Sequence, residues 1–106
     1  MSTLKINLNE VAIKATSSKM SKVFRKSLEK LPLKIQSLVA YKYNRWRTET
    51  SSLNFERKYT NVFAVDINGR IHAICTINGN EVFWEWIGDY ESYIHWLHLH
   101  RYDKKV

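Results

Sequence analysis

The chain has 106 residues, 44% of them hydrophobic and 13% aromatic, enough for one core and too apolar for a disordered chain. Its formal net charge is +7 and unevenly spread: residues 1–60 hold 13 Lys/Arg against 4 Asp/Glu, residues 61–106 hold 4 against 6. A basic half of this size points to a polyanion such as RNA, or to an acidic protein segment. No run reaches the length of a membrane span and no apolar leader opens the chain, so no membrane partner is expected. The lone Cys75 cannot make an internal disulfide, and a cytoplasmic location is the expectation.

Leu4, Ile6 and Leu8 alternate with polar residues and predict a short strand over 3–9. Ala15-Thr16-Ser17-Ser18 reads as loop and N-cap for a helix over about 19–30, with Met20, Val23, Phe24, Leu28 and Leu31 on one apolar stripe. Pro32 ends that helix and suits the first turn of a second, to about Arg47, with Ile35, Leu38, Val39, Lys42 and Trp46 on one face. So short a connection predicts a helical hairpin over about 19–47. Thr48 to Ser52 is a polar link into the strands.

Asn68-Gly69 and Asn78-Gly79 each read as a two-residue turn, so residues 62–88 form an antiparallel three-stranded meander. In that register Val65 pairs with His72, and His72 faces Glu85; moving the second turn to Gly79-Asn80 loses the direct pairing but keeps both on one face. One face then carries Ile71, Ala73, Cys75, Ile77, Val82, Trp84 and Trp86, and the helical hairpin is expected to cover it. The other carries Phe63, Val65, Ile67, Arg70, His72, Ile74, Thr76, Phe83 and Glu85. Asp89 caps a last helix over about 89–101 that folds over part of this mixed face. The whole is expected to be one α+β domain, residues 1–106: an N-terminal strand and helical hairpin packed on the meander, with a C-terminal helix.

Three local patterns resemble the RelE/ParE superfamily, the toxins of type II toxin–antitoxin pairs. Lys30-Leu31-Pro32 lies between two basic amphipathic helices, Leu53-Asn54-Phe55-Glu56-Arg57 leads into the sheet, and Trp86-Ile87-Gly88 is followed by Tyr93 and Leu97. The resemblance spans roughly residues 4–98 and rests on order and spacing, not on one motif. Where many members have Tyr-Arg this chain has Ile71-His72, and Tyr90 stands where a histidine is common. The resemblance implies a RelE/ParE-like fold and a metal-independent, ribosome-associated mRNA endoribonuclease with a cognate antitoxin as partner. Its other branch implies a ParE-like toxin that inhibits DNA gyrase without chemistry of its own.

Metal-independent RNA cleavage needs a base for the ribose 2′-OH, cations for the phosphate and an acid for the leaving oxygen. An imidazole titrates near neutral pH, which makes His72, with Glu85 beside it, the expected proton-transfer pair; a cross-strand polar pair is the plainer alternative. Tyr93 is the further catalytic candidate, as proton donor or orienting group, or it simply packs the last helix. Arg57, Lys58 and Arg70 are the candidates for RNA phosphate contact, against a plain reading as surface charge. His95, His98 and His100 lack metal-ligand spacing, so neither metal nor cofactor is expected. Cys75 falls on the core face with no base near it.

Overall fold

The computed structural model describes residues 10–100, and the strand expected over 3–9 and Arg101 of the last helix lie outside them. Nine elements follow in order: β1 (Glu10–Val11), β2 (Ser17–Met20), α1 (Lys22–Glu29), α2 (Leu33–Thr48), β3 (Phe55–Arg57), β4 (Val62–Asp66), β5 (Ile71–Asn78), β6 (Glu81–Asp89) and α3 (Tyr90–His100). A 3-10 turn at Thr50–Ser52 joins α2 to β3. The strands form one sheet in the order β1-β3-β4-β5-β6-β2, antiparallel except for β2, which runs parallel to β6 at the edge. The α+β architecture with its meander and C-terminal helix is present.

Residues 17–20, expected as loop and helix start, are a strand instead. Their backbone pairs with Glu81 to Trp84, and the helix starts later, at the N-cap Ser21, whose Oγ accepts from the Phe24 N–H at 2.9 Å. Met20 therefore belongs to β2, and of the expected α1 stripe Val23 is 56% exposed while Phe24 is buried. The second helix behaves as its spacing predicts: Val39 and Trp46 are buried and Ile35 and Leu38 pack against them.

The main core lies between the helices and one sheet face, centred on Trp84. Its ring centroid is 5.8 Å from those of Trp46 and Phe55 and 6.0 Å from that of Phe24. Buried indole N–H groups need acceptors: Trp84 Nε1 donates to Ser18 Oγ at 3.0 Å, and Trp46 Nε1 to the Ile13 carbonyl at 2.7 Å. On the opposite face, α3 covers a smaller cluster of Val62, Ala64, Ile74 and Tyr93, with Trp86, Trp96 and Leu97 against it.

Both turns depart from the two-residue Asn-Gly reading, and the departures decide the faces. Asp66 pairs with His72, and the Ile67 N–H bonds the Ile71 carbonyl, so the first loop is the three residues Asn68–Arg70. Asn68 Oδ1 accepts from the N–H groups of Arg70 and Ile71, Asp66 Oδ1 accepts from that of Gly69, and Gly69 has φ 89°. The extra residue moves every β4 side chain to the other face. Phe63 and Val65 thus join the main core, opposite Cys75 and Ala73.

The second turn is Gly79-Asn80, with positive φ at Gly79 alone, as a type II′ turn requires. Cys75 pairs with Trp84 but Ile74 with Trp86, which leaves Glu85 as the extra residue of a β-bulge. Trp86 is thereby turned away from the helices, onto the α3 face. The Glu85 carbonyl accepts from the Ser21 hydroxyl at 3.1 Å, which ties the bulge to the start of α1. Gly88 is dictated by Trp86: a Cβ there would lie 2.4 Å from the indole ring.

Candidate active site

A groove of about 630 Å³ opens on the α3 face, lined by β3, β4, the β4–β5 loop and the first turns of α3. Asp89 sets the angle of that helix, its Oδ1 accepting the Ser92 N–H at 2.8 Å. This bond holds the Asp89 carboxyl below its ordinary pKa. The cap brings Tyr93 inward, and its ring stacks on the His72 imidazole, centroids 4.6 Å apart and planes 13° apart. Tyr90 meets the same imidazole edge-on at 5.4 Å. Two aromatic contacts thus fix the ring of His72, while its buried Nδ1 has no hydrogen-bond partner among the described residues.

Lys58 reaches the groove from the β3–β4 turn. Its Nζ lies 3.2 Å from Glu56 Oε1 and 6.0 Å from the Tyr93 centroid. Burial lowers the Lys58 pKa, but the Tyr93 phenol and the Glu56 carboxylate together outweigh it and hold the ammonium above its ordinary 10.5. Tyr93 is 3% exposed, and burial pushes its phenol above 10.0 against the opposing pull of Lys58. At neutral pH the site therefore presents a charged ammonium and an un-ionised phenol, with the Tyr93 ring in contact with both Lys58 and the held imidazole. Lys42 Nζ, at the far wall, donates to the Ile67 carbonyl.

Of the six residues singled out in the sequence, the groove brings together His72, Tyr93 and Lys58. Arg70 lies at its rim, lining a shallower depression with Gly69 and Tyr90, which the groove shares. Arg57 is elsewhere: its guanidinium sits 4.9 Å from the Phe63 ring centroid and donates to the Thr60 carbonyl.

Glu85 is not the neighbour of His72. His72 pairs with Gly88, whereas Glu85 Oε2 accepts from Thr76 Oγ1 at 3.0 Å. Thr76 is four residues along β5 from His72, about 13 Å at ordinary strand rise, which is out of proton-transfer reach. The carboxylate that does face His72 is Asp66, its partner across β4 and β5. The sequence carries a signal for it, since Asp three residues before Gly marks a type I turn. Such a turn places Asp66 one step earlier than a two-residue Asn-Gly reading allows. Glu56 is the other residue that sequence reasoning did not assign.

Among the described residues no group of three or more His, Cys, Asp or Glu side chains is placed to hold a metal ion, and no helix is long and apolar enough to cross a membrane. Cys75 is wholly buried; burial, and then Glu85, push its thiol pKa up.

No family model and no curated protein matches the chain. Solved structures do. A chain of the RelB–RelE antitoxin–toxin complex from Methanococcus jannaschii superimposes with a TM-score of 0.61 at 17% identity, covering 73% of this chain and 95% of that one. For the RelE–RelB complex from Pyrococcus horikoshii the TM-score is 0.53 at 11% identity, covering 69% and 92%. For the RelBE2 toxin–antitoxin complex from Mycobacterium tuberculosis it is 0.54 at 16% identity, covering 76% and 100%. The fold is RelE-like.

Proposed function

We propose that this chain is the toxin of a type II toxin–antitoxin pair and acts as a metal-independent endoribonuclease on mRNA at the ribosome. The observation that carries the reading is the convergence of His72, Tyr93 and Lys58 in one open groove, with the His72 imidazole held by two aromatic rings. The RelE-like fold supports it, and the solved likenesses are to toxin–antitoxin complexes. Those likenesses favour the nuclease branch over the gyrase-binding alternative.

In this reading His72 takes the proton of the ribose 2′-OH. The 2′ oxygen bonds to phosphorus, the bond from phosphorus to the 5′ oxygen breaks, and Tyr93 gives its proton to the leaving oxygen. Products are a 2′,3′-cyclic phosphate and a 5′-hydroxyl. The raised Tyr93 pKa keeps the phenol protonated and able to donate. Lys58 and Arg70 hold the phosphate, and Asp66 faces the imidazolium that forms. Glu85 and Arg57 have no part in this chemistry. The exposed cations of α1 and its C-terminal flank, Lys22, Arg25, Lys26 and Lys30, suit rRNA contact. An acidic antitoxin would cover this basic surface and groove.

The test is cleavage of mRNA on programmed ribosomes by the purified protein. The expected result is fragments ending in 2′,3′-cyclic phosphate, and no cut where the scissile ribose is replaced by 2′-deoxyribose. Cleavage of the 2′-deoxy substrate would remove the mechanism.

A further inference from the structure

A second groove lies on the other flank of α3, over β5 and β6, and the chemistry above does not use it. Trp96 and His100 of α3 form one wall, with their rings stacked at 3.7 Å and 10°. His100 Nδ1 lies 2.9 Å from the Trp96 carbonyl, which fixes the stack. Trp86 lines it from β6, turned to this side by the bulge. Val23, left 56% exposed at the start of α1, lines it as well. Into this apolar and aromatic surface the bulge delivers one carboxylate, Glu85, steadied by Thr76.

A β-bulge re-aims a side chain. Here it sets a fixed negative charge against tryptophan rings, the combination that recognises an organic cation. We propose that this groove binds an arginine side chain presented by a partner protein. A guanidinium is planar, stacks on indole and matches a carboxylate with paired N–H donors, which a lysine ammonium does not. Charge complementarity selects this occupant. The chain as a whole is +7, yet Glu85 is the one carboxylate or full charge among the described residues lining this groove. Nucleic acid is disfavoured, because no lysine or arginine is among the described residues lining the groove to meet a phosphate, and Glu85 repels one. The exposed Val23 beside it suits an apolar neighbour of the arginine in the partner's chain. The proposal is independent of RNA cleavage.

The experiment follows the indole N–H signals of Trp86 and Trp96 by ¹H–¹⁵N NMR in the full-length protein. The probe is acetyl-Val-Arg-Val-amide, with the same peptide carrying citrulline as a neutral isostere. Arginine should give saturable shifts at both indoles, with affinity weakened about tenfold for citrulline. Glu85→Gln should weaken the arginine peptide about as much, since its amide oxygen still accepts from Thr76 while the charge is gone. Equal shifts with citrulline, no saturation, an unaffected Glu85→Gln, or shifts produced by a single-stranded RNA and not by the peptide would each overturn the proposal.

Discussion

The two grooves flanking α3 share a sheet face and a helix, yet they are chemically opposite. Toward β3 and β4, an imidazole, a phenol and an ammonium converge, with Tyr93 buried between them. Toward β6, the only full charge among the described lining residues is a carboxylate set in indole and aliphatic surface. What separates them is register. The three-residue loop at Asn68–Arg70 brings Asp66 opposite His72, while the Gly79-Asn80 turn and the bulge at Glu85 together carry the Glu85 carboxylate away from His72 to Thr76. Register shifts in the two strand pairs sort the charges to opposite flanks.

Substitution in the first groove should have the strongest consequence. His72→Ala should lower RNA cleavage by ~10²–10⁴-fold, while Glu85→Gln should leave it unchanged. Equal losses in the two variants would mean that the grooves act as one site. Next come Tyr93→Phe, which keeps the stack but removes the donor, and Lys58→Met, which removes the cation. Each should cost about 10²-fold in single-turnover rate, with the unfolding midpoint close to wild type for the first.

Gly88→Ala sharpens the contrast from the structural side. Its Cβ would collide with the Trp86 ring, so the ring must move, at a cost of ~1–3 kcal/mol in chemical denaturation. Binding of the arginine peptide should weaken, because Trp86 lines that groove.

The smallest effect concerns alkaline stability. Lys58 and Tyr93 both have folded pKa values above the ordinary 10.5 and 10.0, so the folded protein holds these protons more tightly than the unfolded chain does. Their contribution is full below the ordinary values and is lost as pH rises through the raised ones. Between about pH 8 and pH 11, wild type should lose more stability than the Lys58→Met/Tyr93→Phe double variant, read as denaturation midpoints.

Much of this was legible in the chain. The spacing of Val39 and Trp46 marked the buried face of α2, Asp89 marked the start of α3, and the run from Val62 to Gly88 read as a meander. His72, Tyr93 and Lys58 were among the residues singled out in the sequence, and all three line the larger groove. Three features were not legible. β2 is a four-residue strand whose partner among the described residues is β6, 64 residues away in sequence, and nothing local in Ser17–Met20 announces it. The first loop hinges on Asp66 and Asn68 accepting backbone N–H groups, which outweighs the plain Asn-Gly preference. The bulge depends on Ser21 taking up the Glu85 carbonyl from another element. The first is a long-range pairing, and the other two rest on side-chain hydrogen bonds that accompany a one-residue change of register; alternation patterns are blind to both.

On the proposed function, the His72 groove cuts mRNA. This is tested most directly by inducing wild type and His72→Ala in a bacterial host and following incorporation of labelled methionine and labelled thymidine. Methionine incorporation should collapse first in wild type and continue undisturbed in His72→Ala expressed as folded protein. Thymidine incorporation falling first, or undiminished toxicity of the variant, would contradict it.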